Sequence, residues 1–207
     1  MSLIKTGALI LSGGKSRRMG RDKTTLVYNG RSFLSRAAGF WKNVPGISAV
    51  YLGIGSAEHL EEVMKDPDAA ALIRNDHIIP VTDIYAGCGP MAGIHAAFLA
   101  GDEERLYVCA VDIPNMDASM LPVPENSASD RGPDAYVYKY KDKAEPLFAL
   151  YSRRALKPME EMLEAGNYKL RVLLDRIDTR YMELEEDQLG FFYNCNTPED
   201  LKKISEN

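Results

Sequence analysis

Hydrophobic positions along this chain form two patterns, short continuous runs and longer stretches in which apolar residues recur every three or four positions. The first pattern predicts buried strands and the second predicts amphipathic helices. The predicted strands cover 8–11, 48–53, 70–74, 106–111, 134–140 and 146–151. The predicted helices cover 32–44, 56–65, 90–100, 152–165 and 170–177, and a further capped helix begins at 197–200.

Particular residues mark where these helices begin and end. Ser32 and Ser56 each precede a helical stretch, and a serine oxygen at that position can accept hydrogen bonds from the first N–H groups of the helix. Pro90 suits a first helical turn, and Gly101 suits a helix end. The segment 125–134 is polar and contains glycine and proline, so it is predicted to be a loop.

Strands that alternate with helices of roughly 10–15 residues are typical of crossover units. We therefore expect an α/β fold of three layers, a mostly parallel sheet with helices on both faces. No repeat or linker divides the sequence, so 1–207 is expected to form a single domain. Ligands of such sheets bind at the carboxyl ends of the strands, and Gly13 and Asp112 each follow a predicted strand. The two residues are therefore expected at one edge of the sheet.

Composition narrows the possible functions. The formal net charge of −5 argues against non-specific binding of nucleic acid. No apolar run reaches ~18 residues and no signal-peptide pattern is present, so no membrane association is expected. The three cysteines (Cys88, Cys109 and Cys195) form no C-x-x-C pair, which favours a reducing, cytoplasmic location. Cys109 lies in an apolar run and His95 among apolar helical positions, so both are expected to pack in the core.

A glycine-rich basic segment follows the first predicted strand. It runs from Ala8 to Lys23 and reads ALILSGGKSRRMGRDK. Glycines let backbone N–H groups turn toward an anion, and cations this close repel one another unless something negative lies among them. Within an otherwise acidic chain, strand, glycine turn and clustered cations predict a binding site for a polyphosphate.

Two common phosphate-binding motifs do not fit this segment. Gly14-Lys15-Ser16 is similar to the end of a Walker A loop, but that motif needs a glycine five residues before Gly14, where Leu9 stands. The dinucleotide fingerprint G-x-G-x-x-G also fails, because Gly13 and Gly14 are adjacent. The segment therefore favours neither a P-loop ATPase nor a dinucleotide-binding dehydrogenase.

The segment instead resembles the signature loop of the Rossmann-like nucleotidyltransferases, most of all the form found in the molybdenum cofactor guanylyltransferases (the MobA-type family). That family's pattern L-[AS]-G-G-x-S-x-R-M-G-x-D-K is matched by residues 11–23. Three further stretches resemble the same family in the same order: GPMAG at 89–93, VDIP at 111–114 and NCNTPEDL at 194–201. The stretch PLFALY at 146–151 is also similar.

The resemblance implies a Rossmann-like nucleotidyltransferase that moves GMP from GTP to the phosphate of molybdenum-bearing molybdopterin, with Mg²⁺ as its metal. It implies that Lys23 stabilises charge at the α-phosphate and that Arg18 neutralises the departing pyrophosphate. It also implies transient partners that deliver the cofactor and receive the product. Backbone N–H groups of the loop would hold the triphosphate; these belong to Leu11, Ser12, Gly13 and Gly14.

Three further assignments carry alternatives. Asp112 ends an apolar strand and would hold Mg²⁺, although it could instead cap a helix ahead of Pro114. Asp83 is the nearest match to an aspartate that contacts the nucleotide in the family, and Asp76 is a weaker candidate. Amide groups of two asparagines would bind the acceptor or the phosphates, unless they only form a turn before the last helix; these are Asn194 and Asn196.

Other functions remain open at this point. Related cytidylyltransferases and sugar-phosphate nucleotidyltransferases have a similar loop, but the sugar enzymes usually carry a proline before the lysine, which is absent before Lys23. A non-catalytic nucleotide-binding module is disfavoured, because both Lys23 and Asp112 are present. The choice between guanine and cytosine depends on pocket contacts that the sequence does not locate.

Overall fold

The structure, a computed structural model, describes residues 4–12, 22–75, 78–113, 115–122 and 132–192, together with Cys195 and Asp200. Most of the glycine-rich basic segment, 13–21, therefore lies outside the described residues, and so does Arg18. The same holds for Asp76, for the two asparagines beside Cys195, for the helix expected from 197 and for nearly all of the loop at 125–134.

The main elements follow one another as the hydrophobic pattern largely predicts. The strands are β1 (Thr6–Leu11), β2 (Val27–Tyr28), β3 (Arg31–Ser32), β4 (Ile47–Ile54), β5 (Ile78–Thr82), β6 (Arg105–Ala110), β7 (Ala135–Tyr140), β8 (Lys143–Ser152) and β9 (Thr179–Glu183). The α-helices are α1 (Phe33–Lys42), α2 (Ala57–Val63), α3 (Pro67–Asn75), α4 (Pro90–Ala100), α5 (Leu156–Glu164) and α6 (Leu170–Arg176). Short 3-10 helices span Lys23–Thr25, Ala118–Met120, Arg153–Ala155 and Glu186–Phe192.

Seven strands form one sheet in the order β5-β4-β1-β6-β8-β7-β9, and β2 and β3 form a separate antiparallel pair. Neighbouring strands from β5 to β6 are parallel, β8 is antiparallel to both of its neighbours, and β9 is parallel to β7. One core cluster packs α1, α2 and α3 against the sheet, and a second packs α4, α5 and α6 against it. The expected three-layer α/β fold with a mostly parallel sheet is confirmed.

The predicted helix starts are also confirmed. The Ser32 Oγ accepts from the Ser35 N–H at 3.1 Å, and the Ser56 Oγ accepts from the His59 N–H at 3.2 Å. α4 begins at Pro90 directly after Gly89, whose φ of 73° lies in the left-handed region that glycine tolerates best. Each cap fixes where a helix leaves the sheet, and α2 and α4 both leave it at the edge where the site lies.

One predicted strand, 70–74, is wrong. These residues belong to α3, which begins at Pro67 and whose first turn is capped by the Asp66 carboxylate, an acceptor for the Ala69 N–H at 2.9 Å. A short apolar run is equally compatible with a buried helix turn, and here the capped start decides for the helix. The strand that fills this place in the sheet is β5, an edge strand that tolerates Pro80. The hydrophobic pattern did not predict β5, β9 or the short strands β2 and β3.

Candidate active site

Four parallel strands end side by side at one edge of the sheet. Leu11 of β1 is in register with Gly53 of β4 on one side and with Ala110 of β6 on the other. β4 in turn is in register with β5 up to the last residue of each. The ends of β1, β4, β5 and β6 therefore share one edge, and Asp112 follows β6 there. Gly13, which was expected to share this edge with Asp112, lies outside the described residues.

Ser12 closes the end of β1 against β4. Its N–H and its hydroxyl both donate to the Gly53 carbonyl, at 3.0 and 2.6 Å, and the residue is almost fully buried. The Leu11 carbonyl accepts from the Val111 N–H at 2.9 Å on the other side. The Ser12 N–H, one of the four expected to hold the triphosphate, thus donates to Gly53 instead. Gly13 and Gly14 lie outside the described residues, and the expectation for the Leu11 N–H stays a prediction.

Lys23 and Asp112 meet across the site although 89 residues separate them. The Lys23 Nζ donates to the Asp112 Oδ2 at 2.5 Å, and the side chains are 14% and 13% exposed. Asp112 caps no helix in the described part of the chain, since the 3-10 helix that follows it is capped by Asp117. A cation and a carboxylate thus lie together at the edge where the glycine-rich basic segment leaves the sheet and returns.

Asp22 uses both of its carboxylate oxygens beside Lys23. Its Oδ1 accepts from the Thr24 N–H at 2.8 Å and so caps the 3-10 helix that Lys23 begins, while its Oδ2 lies 2.5 Å from the His59 Nε2. Burial alone would raise the pKa of Asp22, but the hydrogen bonds from His59 and Thr24 outweigh it and lower that pKa. The hydrogen bond to Asp22 raises the pKa of His59, so this pair favours an ionised carboxylate and a protonated ring.

Asp83 follows β5 and is half-buried. Burial raises the pKa of its carboxyl group to about 6, and the nearby charge of His59 offsets only part of that effect. The backbone there holds it against the site, because the Asp83 N–H donates to the Ile54 carbonyl at 3.3 Å. A carboxyl group whose pKa is raised by burial in this way is typical of a functional site.

α4 approaches the site closely because it carries Gly93. A Cβ at this position would lie 2.6 Å from the Leu11 Cδ2 and 3.6 Å from an Asp83 oxygen. The glycine therefore lets the helix pack directly on the end of β1, next to Asp83. This explains in physical terms the second glycine of the GPMAG stretch.

The segment near the carboxyl terminus also reaches this edge. The Cys195 N–H donates to the Asp112 carbonyl at 2.9 Å, and the cysteine is fully buried. Burial raises the pKa of the Cys195 thiol to about 11, so it is not a thiolate nucleophile at neutral pH. The predictions for the two flanking asparagines lie outside the described residues, but the residue between them lies against Asp112.

Two core predictions are confirmed. Cys109 is fully buried and accepts a hydrogen bond at 3.3 Å from the indole Nε1 of Trp41. His95 is buried in α4 and its ring meets that of Tyr85 edge-on, with centroids 5.3 Å apart.

Sequence reasoning missed one member of the site, His59. Nothing in the spacing of the three histidines singles it out. The signal that does locate it is structural: a residue in the first turn of a helix that follows a parallel strand lies at the carboxyl edge of the sheet. Ser56 caps α2 in that position, and His59 is its third residue.

The metal-binding capacity of the described residues is limited. They contain no group of three or more His, Cys, Asp or Glu side chains arranged to hold a metal ion. A site in this part of the chain would therefore depend on Asp112 and on oxygens that a ligand brings. In the described residues no helix is both long and apolar enough to cross a bilayer.

Known proteins resemble this chain along most of its length. A family model for the MobA-like NTP transferase domain matches residues 8–181. "Probable molybdenum cofactor guanylyltransferase" from Halalkalibacterium halodurans is 30% identical over 207 residues, which cover 94% of this chain and 95% of that protein. A protein of the same name from Pelotomaculum thermopropionicum is 29% identical over 206 residues, covering 97% and 92%.

A solved structure shows the same fold. The crystal structure of the molybdopterin-guanine dinucleotide biosynthesis protein A from Archaeoglobus fulgidus superposes with a TM-score of 0.77 at 26% sequence identity. The superposition covers 97% of each chain. The similarity in fold therefore extends over nearly the full length of both chains.

Proposed function

This chain belongs to the MobA-like NTP transferase family, and on that premise we propose that it transfers GMP from GTP to the phosphate of molybdenum-bearing molybdopterin. Its general activity, that of a nucleotidyltransferase, follows from the family. The guanine base and the molybdopterin acceptor are the proposed part. Both are supported by relatives that are named as probable molybdenum cofactor guanylyltransferases and that match this chain over nearly their full length.

The observation that carries the proposal is the Lys23–Asp112 pair at the carboxyl edge of the sheet. In the proposed reaction an acceptor phosphate oxygen attacks the α-phosphorus of GTP, a new P–O bond forms, and the bond to the β-phosphate oxygen breaks to release pyrophosphate. Negative charge builds on the α-phosphate as this happens. The Lys23 ammonium would stabilise that charge. Stabilisation of this kind requires a cation that is held in place before the reaction begins.

The reaction as proposed needs no general base. The attacking phosphate is already anionic at neutral pH, so no proton has to be removed from it. Positioning and charge stabilisation would supply the rate enhancement. This agrees with the chemistry of the described site, where the buried Cys195 thiol has a raised pKa and His59 is engaged with Asp22.

Asp112 suits a magnesium ion that arrives with the nucleotide. Mg²⁺ usually takes one or two carboxylates and completes its shell with phosphate oxygens and water, and the described residues offer a carboxylate without a fuller ligand set. Asp112 would hold the ion, which would neutralise charge on the phosphate oxygens. Its backbone is fixed from two sides, since it follows β6 and its carbonyl accepts from Cys195.

The remaining parts of the nucleotide site are proposed from the sequence and from where its ends lie. Gly13, Gly14 and Arg18 lie in the sequence between Ser12 and Asp22, two residues that are both at the site edge. Asp83, which shares that edge, would contact the nucleotide. Two asparagines would contact the acceptor or the phosphates, because the residue between them touches Asp112; these are Asn194 and Asn196.

The direct test is to incubate the protein with GTP, Mg²⁺ and molybdenum-loaded molybdopterin. We expect pyrophosphate and a guanylylated product in equal amounts, detected by chromatography and mass spectrometry. Product from CTP but not from GTP would overturn the guanylyl assignment and leave a cytidylyltransferase. Turnover with a sugar phosphate but not with molybdopterin would overturn the acceptor.

A further inference from the structure

His59 lies at the site edge, and the proposed reaction provides no role for it. It lies in the first turn of α2, is 21% exposed in its side chain, and faces carboxylates on two other segments. Asp22 lies 2.5 Å from its Nε2, and the charges of Asp83 and Glu62 also act on the ring. The ring therefore lies between the segment that carries Lys23 and the end of β5.

The contact between His59 and Asp22 affects Lys23 through a short series of hydrogen bonds. Asp22 has one oxygen on His59 and the other on the Thr24 N–H, which fixes the first turn of the 3-10 helix Lys23–Thr25. A cap of this kind sets the backbone direction at the residue it precedes. Lys23 is that residue, and its Nζ lies 2.5 Å from Asp112.

His59, which anchors Asp22, is itself held in place by its helix. The Ser56 Oγ accepts from the His59 N–H, and α2 follows β4, the strand that pairs with β1 in the sheet. Thus Asp22, near the end of the glycine-rich basic segment, is tied by its side chain to a helix that follows a strand of the sheet. A long lysine side chain has many rotamers, and its position depends on a fixed backbone beneath it.

We propose that His59 is a positioning residue, which holds Asp22 in its capping conformation and thereby presents Lys23 to Asp112 and to the phosphates of the nucleotide. The proposal rests on the proposed function for its consequence in catalysis. The positioning itself is a property of the protein without substrate. It can therefore be measured separately from turnover.

The first measurement needs no substrate. Lysines are acetylated with limiting acetic anhydride, and the modification of Lys23 is quantified by mass spectrometry relative to the exposed Lys143 of the same molecule. We expect the relative reactivity of Lys23 to rise at least about 3-fold in His59→Leu, because a loosened cap frees the ammonium from its partner. Glu61→Ala, an exposed change on the same helix, serves as the matched control and should leave that ratio unchanged.

The second measurement separates positioning from a purely structural role. With GTP and the molybdopterin acceptor, His59→Leu should lower kcat about 10-fold while the KM for GTP stays within about 2-fold, as expected for a misplaced supporting group. His59→Gln keeps an N–H donor for Asp22 and should recover kcat to within about 3-fold of the original protein. Thermal unfolding of each variant checks that the comparison is made on folded protein.

The third measurement tests whether His59 acts through Asp22. If it does, Asp22→Ala should resemble His59→Leu, and the double variant should be no worse than Asp22→Ala alone, since the two residues then form one unit. Fully additive losses would overturn the proposal. Unchanged Lys23 reactivity in His59→Leu would also overturn it, whereas a labelling response in a protein that makes no guanylylated product would overturn only the proposed function.

Discussion

At the scale of single residues, the site depends on ionised groups that are held close together at low exposure. Lys23 and Asp112 are bonded to each other, Asp22 and His59 form a second pair beside them, and Asp83 lies near the ring of His59. Opposite charges of this kind stabilise one another, and removal of one partner leaves the other poorly solvated. The residue-scale predictions therefore concern both turnover and stability.

The first prediction concerns the central pair. Lys23→Ala and Asp112→Ala should each lower kcat at least about 100-fold, the size of loss seen when one group that stabilises transition-state charge is removed. Circular dichroism should show an intact fold, because the cores on both faces of the sheet are untouched. Lys65→Ala, which removes an exposed lysine paired with Glu62, is the control and should turn over normally. Near-normal rates in either site variant would remove that residue from the mechanism.

The second prediction concerns Asp83. Its folded pKa of about 6 lies above the value of ~3.9 expected in the unfolded chain, so the folded state binds the proton more tightly and the ionised carboxylate costs stability above pH 6. Asp83→Asn should therefore be more stable than the original protein at pH 7–8, by about 1 kcal/mol because water screens part of the effect. The difference should vanish as the pH falls toward 4.

Urea unfolding between pH 4 and pH 8 measures this difference. Asp175→Asn, an exposed change on α6, is the control and should show little pH-dependent gain. The same Asp83 variant should have a raised KM for GTP if the proposed nucleotide contact is made. A variant that is less stable than the original protein at pH 8 would contradict the raised pKa.

At the scale of elements, the site is formed by how strands end and how helices begin. β1, β4, β5 and β6 all end at one edge, and α2 and α4 start there with a serine cap and a glycine-proline turn. α4 is almost wholly buried, which removes the amphipathic pattern of a surface helix. The helix contacts β1 at Gly93, so a side chain at this position would displace the end of β1.

The third prediction compares two helical glycines. Gly93→Val should destabilise the protein by about 2–3 kcal/mol and reduce turnover, because the new side chain meets Leu11, which already lies against Gly53. Gly39→Val in α1 meets nothing within 4 Å of its new Cβ and should change stability by less than about 0.5 kcal/mol. Denaturant unfolding measures both. Equal effects at the two positions would contradict the close approach of α4 to β1.

At the scale of the whole molecule, the proposed function requires selective binding of one nucleotide at the edge of a seven-stranded sheet. A ligand that binds only the folded state raises the melting temperature by mass action. The fold spans the same length as the relatives that are named for guanine nucleotide chemistry. Selectivity among nucleotides should therefore be measurable as a difference in melting temperature without any acceptor present.

The fourth prediction concerns that selectivity. With Mg²⁺ present, GTP should raise the Tm more than CTP, ATP or UTP at equal concentration, and a ligand at 100 times its Kd should add roughly 2.7 kcal/mol. Omitting Mg²⁺ should reduce the shift if Asp112 holds the metal. A larger shift with CTP would favour a cytidylyltransferase instead.

The sequence by itself determined most of the helices and strands. Hydrophobic periodicity and caps are local properties, so β1, β4, β6, α1 and α4 could be predicted with small errors at their ends. The choice of Lys23 and Asp112 as site residues came from the resemblance of their motifs to those of the family, and their roles in the reaction stay predictions. The reasoning from periodicity failed at 70–74, because a short apolar run does not distinguish a strand from a helix turn.

Only the tertiary structure decided which residues meet. Strand order, the antiparallel β8 and the bond between Lys23 and Asp112 join residues far apart in the chain, and such contacts depend on packing rather than on local pattern. The partnership of His59 with Asp22 is of the same kind, since it joins the start of a 3-10 helix to a helix 37 positions away. For that reason the cations of the basic segment could be found in the sequence, while the histidine that supports one of them could not.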